Sequence, residues 1–192
     1  MATPTPADMQ SVKKVVLVND LAGHTRISRD NDDMTVALFL HEYYTICDRH
    51  VTEAGGTIVK FMGDSCLSTF PEAEAAKAVA AAVAIGREVD DLARSHGLDT
   101  MTGANVHLAR FVEGEIGTGP SRHFDVLGRG VNQAFLLGRG PGIRISEAVY
   151  RKLASADRTP WRKHKPPAVY RFEGTGGVLE YGGKTEQQNT AQ

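Results

Sequence analysis

The sequence has few cysteines and no long apolar run, and each shortage excludes a class of protein. The two cysteines, Cys47 and Cys66, are too few for a disulfide framework, so we expect buried free thiols in a reducing, cytoplasmic compartment. No apolar run reaches the roughly 18 residues of a transmembrane helix, and we expect no membrane insertion. Neither charge dominates, with 22 basic and 23 acidic side chains, so we expect no general nucleic-acid binding.

The remaining composition is that of an ordinary globular domain, with 41% hydrophobic and 23% charged residues. A chain of 192 residues is long enough for one domain with its own core. We place that domain at residues 13–173. A flexible polar leader at residues 1–12 precedes it and lacks the apolar segment of a signal peptide. A Gly-rich and then polar tail at residues 174–192 is predicted to be disordered.

Alternating strand and helix patterns predict an α+β fold. Short apolar runs predict strands at residues 14–19, 57–62, 66–70, 101–108, 111–116, 124–127, 143–145 and 168–172. Apolar residues at helical spacing and terminal signals predict helices at residues 34–54, 71–96, 131–137 and 146–153. The order of the first elements is typical of a ferredoxin-like βαββαβ core.

Two aspartates lie where predicted strands end or turn. Asp20 follows the apolar run of the first strand, and Asp64 lies in the turn of a predicted hairpin. Side chains at strand ends can face a ligand while the middle of the sheet stays packed. Magnesium prefers oxygen ligands and is often held by one or two carboxylates together with substrate phosphates. The pair therefore indicates a divalent-metal site for a nucleoside triphosphate.

Several motifs, in order and at matching spacing, resemble those of class III nucleotidyl cyclases. Residues 16–25, VLVNDLAGHT, resemble the first metal loop of that family, F-x-D-I-x-G-F-T. Residues 55–64, GGTIVKFMGD, resemble its G-G-x-x-x-K-x-x-G-D hairpin. Residues 114–134 are similar to its G-x-I-G, R-x-D-Y-x-x-x-G and V-N-x-A segments, and residues 143–147 fit the next segment of the family. The resemblance covers about residues 13–173.

The resemblance implies the class III cyclase fold and a homodimer whose active sites are shared between chains. One protomer supplies two aspartates that hold two Mg²⁺ or Mn²⁺ ions, and the other supplies groups that read the base and stabilise the transition state. The ribose 3′-oxygen attacks the α-phosphate, and a 3′,5′-cyclic monophosphate and pyrophosphate are released. Such a chain would act in intracellular second-messenger signalling.

Matched by position, Asp20 and Asp64 are the metal ligands, and the carbonyl of Leu21 is a further ligand. A helix cap and a turn residue are the alternative roles of the two acids. Backbone N–H groups of the following loop would cradle the phosphates. That loop comprises Gly23, His24 and Thr25. The family has phenylalanine where this chain has His24, so the imidazole is expected to pack, to form a hydrogen bond or to contact a phosphate.

Lys60 and Asp125 match the lysine and aspartate with which adenylyl cyclases read the base. Aspartate can accept from the adenine 6-amino group, and lysine can donate to ring N1. Guanine O6 would be repelled by Asp125. Guanylyl cyclases have glutamate and a small or polar residue at these places. ATP is therefore the expected substrate and cyclic AMP the product. GTP or a pyrimidine nucleotide is the alternative substrate, and an exposed strand lysine is the alternative role of Lys60.

Three more positions match groups that act on the phosphates and the ribose. Arg122 matches an arginine that contacts the triphosphate, with a solvated loop charge as its alternative. Asn132 matches the asparagine that orients the ribose, with a helix cap as its alternative. Lys163 and Lys165 are alternative matches for a late phosphate-binding lysine, or they belong to a plain basic loop.

The chain departs from the family at Leu136, where members usually have an arginine that stabilises the transition state. Losing one such preorganised group commonly costs about 10²–10³ in rate. Arg139 is predicted to share a helix face with Asn132 and to replace that arginine, and Arg129 is the other candidate. We therefore expect weak cyclase activity, and the alternative is a nucleotide-binding or signalling module that has lost turnover.

Overall fold

The computed structural model describes residues 9–164 and 169–173. Within them, eight strands form one sheet: β1 (Met9–Ala22), β2 (Thr57–Met62), β3 (Ser65–Pro71), β4 (Met101–Ile116), β5 (His123–Leu127), β6 (Gly142–Ser146), β7 (Trp161–His164) and β8 (Val169–Phe172). The same residues form five α-helices: α1 (His24–Asp30), α2 (Asp33–Glu53), α3 (Ala75–Ser95), α4 (Arg129–Phe135) and α5 (Glu147–Tyr150). None of these helices is long and apolar enough to cross a membrane.

The sheet confirms the predicted ferredoxin-like core. Its strand order is β2-β3-β1-β4-β6-β8-β7, and β5 pairs with β4. The pairs β2–β3, β3–β1 and β1–β4 are antiparallel. The helices α2 and α3 supply the two crossovers of the βαββαβ unit. The first part of β4 pairs in parallel with β6, and its last part pairs with β5.

Both faces of the sheet are covered, which explains the unbroken apolar run of β1. Val15 and Leu17 pack in the larger core, which includes Phe39 of α2 and Ile85 of α3. The intervening Val16 and Val18 pack in a second core on the opposite face, together with residues of α4. Successive side chains of a strand point to opposite faces. A strand that is buried on both faces therefore shows no alternation of apolar and polar residues.

The helix α2 begins at a capping residue. The side chain of Asp32 accepts hydrogen bonds from the backbone N–H and the hydroxyl of Thr35, which satisfies a donor that the first turn leaves free. In α3, Ala78, Ala82 and Val89 are buried at helical spacing along the face that packs on the sheet. The helix α2 therefore forms within one residue of its predicted bounds. The helix α3 begins at Ala75 and not at residue 71, because Pro71 is the last residue of β3.

The strands β1 and β4 are longer than predicted. Residues 9–12 belong to β1 and not to the leader, and residues 101–116 form one continuous strand where two were predicted. The two strands pair from Met9 opposite Gly114 to Ala22 opposite Met101. Each strand satisfies the backbone hydrogen bonds of the other along this length. The predicted break near Ala109 is therefore wrong, since no turn is needed there.

Two elements were not predicted, and one helix is shifted. The short helix α1 lies in a polar segment whose one buried side chain is Ile27. The edge strand β7 buries Trp161 and exposes its other residues, so its pattern is weak. The helix α4 spans Arg129–Phe135 and not residues 131–137.

Three predicted features lie outside the described residues: Lys165, residues 1–8 of the leader and the predicted tail.

Candidate nucleotide site

The two predicted metal ligands lie close enough for their charges to interact. Asp20 lies near the end of β1, and Asp64 lies in the turn between β2 and β3. Burial raises the pKa of the Asp20 carboxyl, the negative charge of Asp64 raises it further, and the positive charge of Arg144 lowers it. Two carboxylates that repel each other in a half-buried place fit a divalent cation, which would neutralise them.

The carboxylates alone would not complete the coordination shell of such a cation. Among the described residues there is no group of three or more His, Cys, Asp or Glu side chains that could hold a metal ion. A cation at Asp20 and Asp64 would therefore take further oxygen ligands from backbone carbonyls, water or phosphates, as magnesium usually does. The carbonyl of Leu21 was predicted as one of these ligands.

Gly103 makes room for the Asp20 carboxylate, and the sequence analysis did not identify it. Gly103 lies opposite Asp20 in the pairing of β1 with β4. A Cβ atom at this position would collide with Oδ1 of Asp20 and would lie 2.6 Å from the carbonyl oxygen of Gly140. The G-A-N-V sequence at the start of the strand was the available signal, because glycine inside a strand often marks a close approach.

The loop after β1 turns sharply and brings His24 toward Asp64, one of the two predicted metal ligands. Gly23 has φ 91°, a left-handed conformation that glycine adopts readily. Nδ1 of His24 lies 4.0 Å from Oδ2 of Asp64. The other ring nitrogen of His24 lies 3.3 Å from the Ser28 hydroxyl. The imidazole therefore faces Asp64, and Thr25 is exposed beside it.

Tyr44 of α2 holds the turn that carries Asp64, and it too was missed. Its hydroxyl donates a hydrogen bond to the carbonyl of Gly63. Its ring stacks on Phe61 of β2, with 4.1 Å between the ring centroids. Tyr44 thus links helix α2 to the end of β2 and to the turn that follows it. Its place in an apolar helical pattern indicated only a packing residue.

The predicted base-reading residues form an ion pair. Nζ of Lys60 donates to Oδ2 of Asp125 at 2.7 Å, and the backbone N–H of Val126 donates to Oδ1 at 2.8 Å. Burial acts to raise the pKa of the Asp125 carboxyl. The hydrogen bonds from Lys60 and Val126 and the charges of Lys60 and His123 outweigh burial, so the pKa is lowered. Asp125 is therefore ionised near neutral pH and available as an acceptor.

The helix α4 presents Asn132 to solvent. The N-terminal cap of this helix is Gly128, whose carbonyl accepts a hydrogen bond from the backbone N–H of Asn132. Asn132 is thus an interior residue of the helix, and its alternative role as a helix cap is wrong. Leu136 follows the last helical residue, Phe135, and 71% of it is exposed.

Arg139 does not share a helix face with Asn132, because α4 ends at Phe135. It lies exposed in the loop that leads to β6, and its carbonyl accepts a hydrogen bond from Arg144. The geometric reason for its predicted role is therefore wrong. Arg129 is the first residue of α4 and is exposed.

Two other predicted phosphate contacts lie at the surface. Nε of Arg122 is 3.9 Å from Oε2 of Glu115. Lys163 is exposed on the edge strand β7, and its Nζ lies 5.8 Å from the centroid of the Tyr170 ring. Both side chains are open to solvent, as a contact with a bound nucleotide would require.

Comparisons with known proteins agree with this fold. No protein-family model matches the chain. An adenylate cyclase of Anabaena cylindrica is 25% identical over 155 residues, and the match covers 74% of this chain and 31% of that protein. The chain thus spans less than a third of the length of this relative.

Solved structures of cyclases match most of the chain. The guanylyl cyclase Cya2 is 25% identical with a TM-score of 0.74, over 89% of this chain and 96% of that one. A bacterial light-regulated adenylyl cyclase is 20% identical with a TM-score of 0.77, over 90% of this chain and 54% of that one. The adenylyl cyclase CyaB from P. aeruginosa is 21% identical with a TM-score of 0.71, over 85% of this chain and 95% of that one. These matches show that the chain has the fold of the class III adenylyl/guanylyl cyclase catalytic domains.

Proposed function

We propose that the chain converts ATP to 3′,5′-cyclic AMP and pyrophosphate at a site shared by two copies of itself. The observation that carries this proposal is the presence of two side-chain pairs with different chemistry in one chain. Asp20 and Asp64 are carboxylates that repel each other. Lys60 and Asp125 are a donor and an acceptor held 2.7 Å apart. The first pair suits metal ions, and the second suits a base.

The metal half of the site would consist of Asp20, Asp64 and the carbonyl of Leu21. These oxygens would hold two Mg²⁺ or Mn²⁺ ions. When bound, such ions lower the pKa of an attacking hydroxyl and offset the charge of the phosphates. Gly103 leaves space for one carboxylate, and Tyr44 fixes the turn that carries the other. Packing at Gly103 and the hydrogen bond of Tyr44 would therefore hold the two carboxylates in place.

ATP is favoured by the protonation state and geometry of the base-reading pair. The ionised Asp125 accepts hydrogen bonds and would accept one from the adenine 6-amino group. Lys60 would donate to ring N1. A guanine would place its O6 acceptor against the Asp125 carboxylate, and this repulsion penalises GTP.

A homodimer would bring the two halves together. Asp125 lies on β5 and Asn132 on α4, and the same region exposes large apolar side chains. These are Phe124, Leu127 and Leu136, with 37%, 49% and 71% of their surface exposed. Exposed apolar side chains around polar functional groups are typical of a protein interface. We infer that a second copy covers this surface, so that Asn132 of one copy lies beside Asp20 and Asp64 of the other.

The remaining predicted groups would act on the phosphates and the ribose. Asn132 would orient the ribose so that its 3′-oxygen points at the α-phosphate. Arg122 and the Gly23–Thr25 loop would bind phosphate oxygens, with Lys163 or Lys165 as a further cation. Leu136 offers no charge at the position of the family's transition-state arginine, so we propose slow turnover, with Arg139 or Arg129 as partial replacements.

Incubation with each of the four nucleoside triphosphates and Mn²⁺, followed by mass spectrometry, tests the proposed reaction. We expect cyclic AMP as the main product. Asp20→Asn should abolish it, and Asp157→Asn, at an exposed acid in the short 3-10 helix between α5 and β7, should not. A product that persists in the Asp20 variant would contradict the site, and a different cyclic nucleotide would contradict the substrate.

A second candidate function is a nucleotide-binding signalling module without turnover. The exposed Leu136 favours it, because that position lacks the expected charge. Nucleotide binding that depends on Lys60 and Asp125, without any cyclic product, would support this second function.

A further inference from the structure

The loop between α4 and β6 is held by two side chains that donate hydrogen bonds to its carbonyl groups. Nδ2 of Asn105 donates to the carbonyl of Gly138 at 2.9 Å. The guanidinium of Arg144 donates to the next four carbonyls, at 2.7 Å to Arg139, 3.1 Å to Gly140, 3.0 Å to Pro141 and 3.1 Å to Gly142. Five consecutive carbonyl groups therefore depend on these two side chains.

The sequence of this loop gives it little rigidity of its own. Residues 138–142 read Gly-Arg-Gly-Pro-Gly. Glycine loses more conformational freedom than any other residue when it is ordered, and Pro141 has no N–H to donate. Gly140 and Gly142 have left-handed φ angles of 75° and 96°. The position of the loop therefore depends on contacts from outside it.

Arg144 fits closely against this loop. The side chain is buried, with 5% of the residue exposed. A Cβ atom at Gly138 would lie 2.5 Å from both Cδ and Nε of Arg144, so the stem of the arginine lies against the backbone at that glycine. A buried guanidinium needs its donors satisfied, and the loop carbonyls satisfy them.

The loop also borders the Asp20 carboxylate. The space above Gly103 is shared by Oδ1 of Asp20 and the carbonyl oxygen of Gly140, because a Cβ atom there would collide with the first and lie 2.6 Å from the second. Arg144 binds that same Gly140 carbonyl. Its positive charge also acts on Asp20. Arg144 thus lies one contact away from the predicted metal ligand.

We propose that Arg144 is a positioning residue for the metal site: it fixes the 138–142 loop against the end of β1 and so sets the place of the Asp20 carboxylate. This inference rests on the proposed metal-binding role of Asp20. Residues that orient a metal ligand commonly change metal affinity by about 10- to 100-fold when they are replaced. Arg144 makes no contact with the metal or with the nucleotide in this proposal.

Titration of the 192-residue chain with Mn²⁺, with free Mn²⁺ followed by electron paramagnetic resonance, tests the role of Arg144 without any turnover. We expect Arg144→Gln to weaken Mn²⁺ binding about 10- to 100-fold. Arg144→Lys should weaken it nearly as much, because an ammonium group has three protons and cannot span four carbonyls. Arg171→Gln is the matched control, since Arg171 lies opposite Arg144 in the sheet and is exposed. We expect this control to leave the affinity unchanged.

Gly138→Ala serves as a second variant in case Arg144→Gln does not fold. It keeps the guanidinium and displaces its stem, and we expect it to weaken Mn²⁺ binding as well. Unchanged Mn²⁺ affinity in a folded Arg144→Gln, or in Gly138→Ala when Arg144→Gln is unfolded, would overturn the proposal. Equal losses in Arg144→Gln and Arg171→Gln would also overturn it, because they would indicate a general effect of charge.

The Mn²⁺ titration tests the role of Arg144 separately from the proposed cyclase reaction. If the wild-type chain binds Mn²⁺ but forms no cyclic nucleotide, the reaction is wrong and the titration still decides the role of Arg144. If it binds no Mn²⁺, the inference fails with the metal site. If the wild-type chain is active, Arg144→Lys should need more Mn²⁺ to reach its half-maximal rate. At saturating Mn²⁺ this variant should regain most of the wild-type kcat. A general loss of folded protein would not produce this recovery.

Discussion

Lys60 and Asp125 form an ion pair with 2.7 Å between Nζ and Oδ2, although 65 residues separate them in the chain. They belong to β2 and β5, which touch without pairing in the sheet. The Asp125 side chain is largely buried, and Lys60 is about one-third exposed. The pair therefore offers one donor and one acceptor at a partly open place.

Reversing the chemistry of this pair should change the preferred nucleotide. Lys60→Glu combined with Asp125→Ser should raise the ratio of kcat/KM for GTP over ATP by at least about 100-fold, because a site built for a hydrogen-bonding pattern rejects the wrong pattern strongly. Steady-state rates with both nucleotides measure this ratio. Lys77→Glu combined with Asp157→Ser, at exposed positions away from the pair, is the control. An unchanged ratio in the first double variant would mean that the pair does not read the base.

Removing the charge of Asp20 should stabilise the metal-free protein. The folded pKa of Asp20 is raised by burial and by Asp64, so its charged form costs stability at every pH above that raised pKa, and the cost disappears as pH falls below the ordinary value of about 3.9. Asp20→Asn should therefore raise the unfolding midpoint in EDTA at neutral pH, and the gain should vanish in acid. Added Mn²⁺ should stabilise the wild type and not the variant. Thermal unfolding from pH 3 to 8 measures both effects, and a lower midpoint of the variant at neutral pH would contradict the repulsion.

Restoring the missing arginine should accelerate the reaction. Leu136 is 71% exposed just beyond α4, so a longer side chain fits without displacing the core. Leu136→Arg should raise kcat by about 10-fold or more, since one preorganised group is commonly worth about 10²–10³ in rate. Met34→Arg, at another exposed apolar residue, controls for added charge. If kcat does not rise, Arg139→Ala and Arg129→Ala should show which arginine already supplies the charge; unchanged kcat in both would exclude both replacements.

Two glycine-to-alanine variants should have different effects: one should damage the metal site, and the other should stabilise the fold. Gly103→Ala places a Cβ atom where Asp20 and Gly140 already lie, and we expect it to displace the carboxylate and abolish Mn²⁺-dependent activity. Gly86→Ala lies inside α3, where the new Cβ atom would be 3.7 Å from Ile143 in ordinary contact. It should raise stability by about 0.5–1 kcal/mol. Calorimetric titration with Mn²⁺ and thermal unfolding distinguish the two, and normal metal binding by Gly103→Ala would refute the close packing.

Two inactive variants should complement each other if the site is shared. Asp20→Asn damages the metal half, and Asn132→Ala damages the half on α4. In an equal mixture, random exchange makes half of the dimers mixed, and each mixed dimer has one intact site, so about a quarter of wild-type activity should return. Co-purification with two different tags isolates the mixed dimers. Activity that stays at the level of the separate variants would place both residues in one chain's site.

The element order was largely predictable, and the failures have local causes. The strand and helix patterns predicted the βαββαβ core because its helices have one apolar face and its strands are short apolar runs. The single strand β4 was read as two, since its pairing with β1 lies far away in the sequence. The helix α1 was not predicted, because its one buried residue, Ile27, makes no periodic pattern.

The sequence by itself determined the resemblance to class III cyclases, the order of the core elements and the two acids at strand ends, because motif spacing and periodicity are local properties of the chain. The roles of Asp20, Asp64, Lys60 and Asp125 in catalysis stay predictions. Only the tertiary structure decided which side chains support them. The close approach of Asp20 and Gly140 at Gly103 and the ion pair of Lys60 with Asp125 join residues that are distant in sequence. No local pattern encodes how a twisted sheet brings them together. Arg144 contacts a loop only two to five residues away in the chain, but the sheet decides that this loop lies beside Asp20.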